Sequence, residues 1–242
     1  MTHMNEVDKQ KILEDFKAWW RDELAVSHKN NTVKLTDSSE FTINPFLWSY
    51  LAYFLNGKAD SHSLAEVLLY PRALGTSINT IFGTRFQDFV TKYFIDTFGS
   101  STSGIDIEFI DKLDGRKKYC QLKSGPNIVN KGDVTSVKND FSAASRLART
   151  NHLDVNVADY VFCLLYGEPW QKNSFVKQIE KDHVVYVGKE FWYHFTGDDN
   201  FYEDLISSVG QIANQFDMKS IVDDTISELA KDIEQKYPDL VK

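Results

Sequence analysis

Asp106, Gln121 and Lys123 are the residues whose types and spacing carry chemistry: an aspartate, then seventeen positions later a lysine, with an amide one spacer before it. Around the aspartate, GIDIEF alternates Ile105, Ile107 and Phe109 against Asp106 and Glu108, a period-two pattern that sends both acids to one face of a strand. Asp114-Gly115 is a hairpin turn signal. After it, Tyr119, Gln121 and Lys123 fall on one face of a second strand, and Cys120 and Leu122 on the other. Such a hairpin brings Asp106 beside Gln121 and Lys123. A carboxylate with neighbouring oxygens holds Mg²⁺, a hard cation that takes oxygen ligands and keeps several waters. A lysine beside it can orient or deprotonate a water, or neutralise charge on a phosphate, so the pattern suits metal-dependent phosphodiester cleavage. The same spacing also fits an exposed hairpin with solvated charges, and the residues alone leave both open.

The elements that must position this hairpin can be read from periodicity. Ile12, Leu13, Phe16, Trp19, Trp20 and Leu24 recur at helical spacing within residues 1–28, and residues 29–41 read as a loop. Asn44 caps a helix with Pro45 at its first position and Gly57 at its end; Phe46, Leu47, Tyr50, Leu51, Phe54 and Leu55 make it a core helix. Residues 60–70 read as a third helix ended by Pro71. Arg72 to Thr80 then reads as a polar loop, where Arg72, Thr76 and Ser77 suit phosphate contacts. A helix over 84–98 carries Phe86, Phe89, Val90, Tyr93 and Phe94 on one stripe and stops at Gly99. Beyond Lys123, residues 124–127 form a turn with donors, and 133–149 a helix with Val134, Val137, Phe141, Ala144 and Ala148 inward. VFCLLYG within 159–167 reads as a strand buried on both faces, and VVYVG within 183–188 as another. The aromatic run 191–195 closes a core. From Gly197 onward, eleven acids against four bases accompany amphipathic helices suited to packing or dimerisation. The expected class is α/β, a mixed central sheet flanked by helices with helical N- and C-terminal additions. One domain is expected, with a helical part over about 1–98, a catalytic core over about 99–195 and an acidic tail over about 196–242.

The formal charge of −8 counts against a polyanionic partner, but its distribution matters more. Between Lys112 and Arg149 nine basic residues face three acids, a local +6 that leaves −14 for the remainder. Basic charge around the hairpin fits a DNA-facing cleft with an acidic back. A solvated basic helix face would give the same count. No long apolar run suggests export or membrane insertion, so the expected compartment is the cytoplasm. Cys120 and Cys163 read as buried free thiols, and the six scattered histidines lack zinc-ligand spacing. The absence of a phosphate-binding glycine loop argues against ATP use.

The hairpin resembles the PD-(D/E)xK nuclease core in its Gln-x-Lys variant, here Gln121-Leu122-Lys123. IDIEFIDKLDGRKKYCQLKSGPNIVNKGDV, with INPF at 43–46, YPRALGTS at 70–77 and GKEFW at 188–192, is similar to the PmeII-type family of type II restriction endonucleases. The resemblance implies a restriction-endonuclease-like fold and a Mg²⁺-dependent endonuclease acting on double-stranded DNA at a short specific sequence, with Mn²⁺ as a substitute. It also implies a homodimer paired in the cell with a cognate DNA methyltransferase. By carry-over Asp106 is the metal-binding aspartate, Gln121 holds the position of the usual second acid, and Lys123 is the catalytic lysine. The backbone carbonyl of Leu122 joins the metal site. Because Gln121 is neutral, Glu108 becomes a further ligand candidate. Asp88 is another, since the helix before the first strand often supplies an acid in this superfamily. Arg72, Thr76, Ser77, Arg85, Ser124, Asn127, Lys131, Lys138 and Arg146 are the DNA-binding candidates. A repair or modification-dependent nuclease of the same superfamily, or an inactive DNA-binding module, are the competing readings.

Overall fold

The computed structural model describes residues 4–94, 97–100, 102–213, 215 and 217–241. In chain order the helices are α1 (Glu6–Trp19), α2 (Val26–Thr32), α3 (Pro45–Asn56), α4 (Ser61–Pro71), α5 (Ile78–Tyr93), α6 (Lys131–Thr150), α7 (Ser174–Ile179), α8 (Lys189–Thr196), α9 (Phe201–Ala213) and α10 (Met218–Lys236). The strands are β1 (Thr97–Gly99), β2 (Ile107–Ile110), β3 (Lys117–Lys123), β4 (Tyr160–Leu164) and β5 (Val184–Val187). Contacts group the chain into two compact units built from separated segments, residues 1–18 with 83–211 and residues 19–82 with 212–242.

The first unit holds a five-stranded sheet in the order β1-β2-β3-β4-β5. β1, β2 and β3 pair antiparallel, whereas β3, β4 and β5 are parallel, so the sheet is mixed and α/β as the periodicity predicts. Parallel strands need crossovers, and α6 and α7 supply them. Every residue of β4 is buried, which explains its unbroken apolar run. On one face, Val134, Val137, Phe141 and Ala144 of α6 pack with Tyr160, Phe162 and Leu164. On the other, Phe109 meets Phe191 and Phe195 of α8, and Trp192 meets Phe86 of α5. The run 191–195 is therefore core. Cys120 and Cys163 are buried free thiols on neighbouring strands, and burial pushes the Cys120 thiol well up.

The predicted helix over 84–98 ends at Tyr93, and Phe98 and Gly99 belong to β1, pairing with Glu108 and Ile107. The aromatic stripe is real, but beyond it the backbone of 97–99 satisfies its polar groups better as an edge of the sheet than as a further helical turn.

A buried ionic cluster at the far end of the hairpin was not foreseen. Asp159 is 2 % exposed and receives the Arg116 guanidinium on both oxygens, while Lys118, also 2 % exposed, reaches Asp159 at 3.3 Å and Asp114 at 2.6 Å. Asp111, fully buried, accepts from His194 Nδ1 at 2.8 Å, and the His194 ring stacks on Tyr186. From the sequence these lysines and arginines belong to the basic run expected to face DNA. Arg116 and Lys118 instead staple the hairpin to the start of β4, and Lys117 pairs with Glu108.

The second unit is helical. Leu64, Leu69 and Ala73 pack with Ile226, Leu229 and Ile233 of α10, and Trp48 and Ala52 of α3 join them. Asn44 caps α3 by accepting from Phe46 N–H, and Gly57 closes it at φ 69°, as the sequence predicts. The face of α3 is the surprise. Only Trp48 and Ala52 are buried, while Phe46 is 91 % and Phe54 78 % exposed, so α3 is not a core helix.

Pro71 does not end its helix. The chain continues through a π-helical turn, Arg72–Ser77, into α5, so the predicted polar loop is helical. A proline lacks the N–H for an i−4 bond, and a widened turn accommodates that loss without a break. Likewise the N-terminal helix runs on to Thr32 through a π-helical turn at Trp20–Ala25, shortening the predicted loop over 29–41.

Candidate active site

β2 and β3 bring the predicted residues together. The ladder pairs Ile107 with Cys120 and Glu108 with Tyr119, and just before it the Asp106 N–H donates to Cys120 O at 2.9 Å, which holds Asp106 against the last residues of β3. Asp106 Oδ2 accepts from Leu122 N–H at 2.7 Å. In an extended strand the N–H and C=O of one residue point to the same side, so the Leu122 carbonyl faces the Asp106 side where the β2 ladder runs out.

Gln121 is 8 % exposed, and its Nε2 donates to Gly104 O and, at 3.0 Å, to Asp140 Oδ2. Lys123 Nζ lies 2.9 Å from Asp133 Oδ1. Asp133 is the third residue of α6, and its other oxygen accepts from Asn130 N–H in a capping box. α6 thus places two carboxylates, Asp133 and Asp140, over the hairpin.

Burial pushes the Asp106 carboxyl above its ordinary value, and the negative charge of Asp140 adds to that push. The Leu122 amide, Lys123 and Gln87 oppose it without cancelling it. A half-buried carboxylate held in its costly form is the environment a cation relieves.

Neither Asp140 nor Gln87 was singled out in the sequence. A signal for Asp140 existed: Val137, Asp140, Phe141 and Ala144 follow i, i+3, i+4, i+7, so the acid sits on the buried stripe of α6. Gly104 leaves room for it, since at φ 77° a Cβ would come 2.3 Å from Asp140 Cγ. Gln87 donates to the Asp106 backbone carbonyl at 3.2 Å. It occupies the place considered for Asp88, which is exposed, because adjacent helical residues diverge by about 100°.

The structure places the other candidates as follows. Glu108 shares a face with Asp106 but is taken by Lys117 and Ser100. Lys138 pairs with Asp182 at 2.6 Å. Ser124 is buried just beyond β3, Asn127 is exposed on a short 3₁₀ turn, and Lys131 and Arg146 are exposed on α6. Arg85 is half-buried on α5 in the first unit. Arg72, Thr76 and Ser77 belong to the second unit, where Arg72 and Thr76 are exposed.

A mixed sheet with helices on both faces, carrying an aspartate, a glutamine and a lysine at the open end of its antiparallel hairpin, is a restriction-endonuclease-like fold. Residues 44–217 match the model of the family described as type II restriction endonuclease EcoO109I, and the chain belongs to that family. The match carries a type II restriction endonuclease family and does not extend to the PmeII-type assignment. No individually curated protein matches the chain. Among the described residues no helix is long and apolar enough to cross a membrane.

Proposed function

We propose that the chain hydrolyses phosphodiester bonds of double-stranded DNA at a short specific sequence, using Mg²⁺, with Mn²⁺ as a substitute and without ATP. The observation that carries this reading is the convergence of the Asp106 carboxylate, the Leu122 backbone and Lys123 at one end of the hairpin. Among the described residues no group of three acids, histidines or cysteines is placed to hold a metal. Mg²⁺ is commonly held by one or two carboxylates with waters and substrate phosphate oxygens. Asp106 and the Leu122 carbonyl would hold the ion, with Asp140 close behind Gln121 as a further source of negative charge. When bound, the ion supplies Lewis-acid polarisation of the phosphate and an acidified water.

The protein's own groups do the rest. Lys123 neutralises charge on the phosphate or orients the attacking water, and Asp133 holds its ammonium group in place. Gln121 fixes the carboxylate of Asp140 and the chain at Gly104. Lys131 and Arg146 on α6, with Asn127, contribute phosphate contacts. A homodimer gives one active site per strand of a two-fold duplex site, and a cognate methyltransferase would protect the host's own copies.

Incubating the purified chain with unmethylated DNA and Mg²⁺, then sequencing the fragment ends, tests this. Discrete ends at one short sequence, lost in excess EDTA, are expected. Cleavage confined to modified DNA would favour another nuclease of the superfamily, and binding without any cleavage an inactive module.

Gln121→Glu sharpens the assignment. With Asp140 3.0 Å from the amide nitrogen, a glutamate here sets two carboxylates against each other. The metal-free variant should melt several degrees below the parent, and Mg²⁺ should recover most of that loss while cleavage persists. Equal melting of parent and variant without metal would show that the Asp140 contact does not form.

A further inference from the structure

The most unusual surface of the molecule is α3. Phe46 is 91 % exposed, Phe54 78 %, Tyr50 61 %, Tyr53 56 %, Leu55 50 %, Leu47 49 % and Leu51 39 %. A surface helix normally turns such residues inward, and α3 uses only Trp48 and Ala52 for that purpose. Trp48 is anchored by its indole N–H to Leu64 O at 3.1 Å and by an edge-on contact with Tyr237, so the helix is seated on α4 and α10 by its narrow side. Its broad side has no covering element among the described residues.

We infer that this face of α3 is the surface through which two copies of the chain associate. Area supports a second copy. At about 200 Å² per fully exposed ring, the four aromatics present on the order of 550 Å², and the three half-exposed leucines raise the patch to roughly 800 Å². That exceeds the largest apolar patch of a typical monomer and equals the share each partner contributes to a standard stable interface. Charge supports it too. Residues 41–57 contain no Asp, Glu, Lys or Arg, so the face can meet an identical face without burying an unpaired charge. The same lack of cations removes DNA phosphates as the occupant, and a chain of net charge −8 is repelled by an anionic lipid surface.

The inference deepens the homodimer of the proposed function by assigning its contact surface. It is read from mass in the absence of DNA, so it stands or falls independently of cleavage. Phe46→Glu with Phe54→Glu changes exposed side chains only, and an unaltered far-ultraviolet circular dichroism spectrum would verify that the fold is kept. Light scattering and sedimentation should give a dimer for the parent and, for the double variant, association at least 100-fold weaker. In a second variant, Tyr50→Cys, the middle of α3 should form a disulfide between two copies under mild oxidation, since the buried Cys120 and Cys163 do not compete. A monomeric parent, a double variant that dimerises as the parent does, or no crosslink at position 50 would each overturn the assignment. Binding of a monomeric parent to phosphatidylcholine–phosphatidylglycerol vesicles, lost in the double variant, would overturn it in favour of a lipid surface.

Discussion

Asp106→Ala is expected to reduce DNA cleavage by roughly a thousandfold or more, because Lewis-acid stabilisation worth several kcal/mol disappears with the ligand. Sequence-specific binding should persist, since Lys and Arg contacts to phosphate supply most of the affinity and do not involve this carboxylate. Lys123→Ala should follow the same pattern. A cleavage time course paired with fluorescence anisotropy on one labelled duplex separates the two quantities. A further readout comes from the environment of Asp106, whose charged form is disfavoured by burial and by Asp140. Asp106→Asn should therefore melt no lower than the parent in the absence of metal. Cleavage by Asp106→Ala or Lys123→Ala at the parent rate would mean that the catalytic hairpin has been misassigned.

Asp159→Ala should be among the most destabilising single substitutions in the first unit. It leaves the Arg116 fork without its main partner and takes from Lys118, 2 % exposed, one of its two close carboxylates, and breaking a buried ion pair costs about 3–5 kcal/mol. The melting temperature should fall by roughly 10 °C or more. The same carboxylate governs acid stability. Burial pushes Asp159 up, but Arg116, the Asn156 amide and Lys118 outweigh that and hold it at about 2, against about 3.9 in an unfolded chain. A depressed folded value stabilises above the unfolded one, so the contribution, on the order of 2–3 kcal/mol, is complete above about pH 5 and is lost as pH falls toward 2. Denaturant midpoints at pH 6 and pH 3 should therefore drop further for the parent than for Asp159→Ala. Parallel drops would remove Asp159 from the account of acid sensitivity.

The β2–β3 hairpin is legible in the sequence because both of its signals are local. Alternation around Asp106 and the Asp114-Gly115 turn determine register over a short stretch, and Asn44, Pro45 and Gly57 determine the ends of α3 in the same way. What was not legible depends on partners distant in the chain. Lys117, Lys118 and Arg116 look like a DNA-binding run until Glu108, Asp114 and Asp159 are seen to neutralise them. Asp88 and Gln87 are neighbours in sequence, and only the seating of α5 decides that Gln87 meets β2. Pro71 is a strong stop signal that a π-helical turn overrides. The apolar run of α3 reads as core because periodicity reports which residues avoid water, not whether their cover comes from the same chain.

The connection between β2 and β3 makes chain length itself a catalytic variable. The ladder closes at Ile110 with Lys117, and the loop between them is fastened internally, Asp111 N–H to Arg116 O at 2.9 Å and Gly115 N–H to Asp111 O at 2.8 Å. Because side chains alternate, loss of a single residue there, if absorbed as a one-step slip, would rotate Gln121 and Lys123 to the face now occupied by Cys120 and Leu122. Every residue needed for chemistry would still be present, and none would face Asp106. Residue type in this loop is constrained as well as its length, because Asp114 holds the buried Lys118 and Gly115 turns the chain at φ 72°, and together they keep Gln121 and Lys123 in step with Asp106.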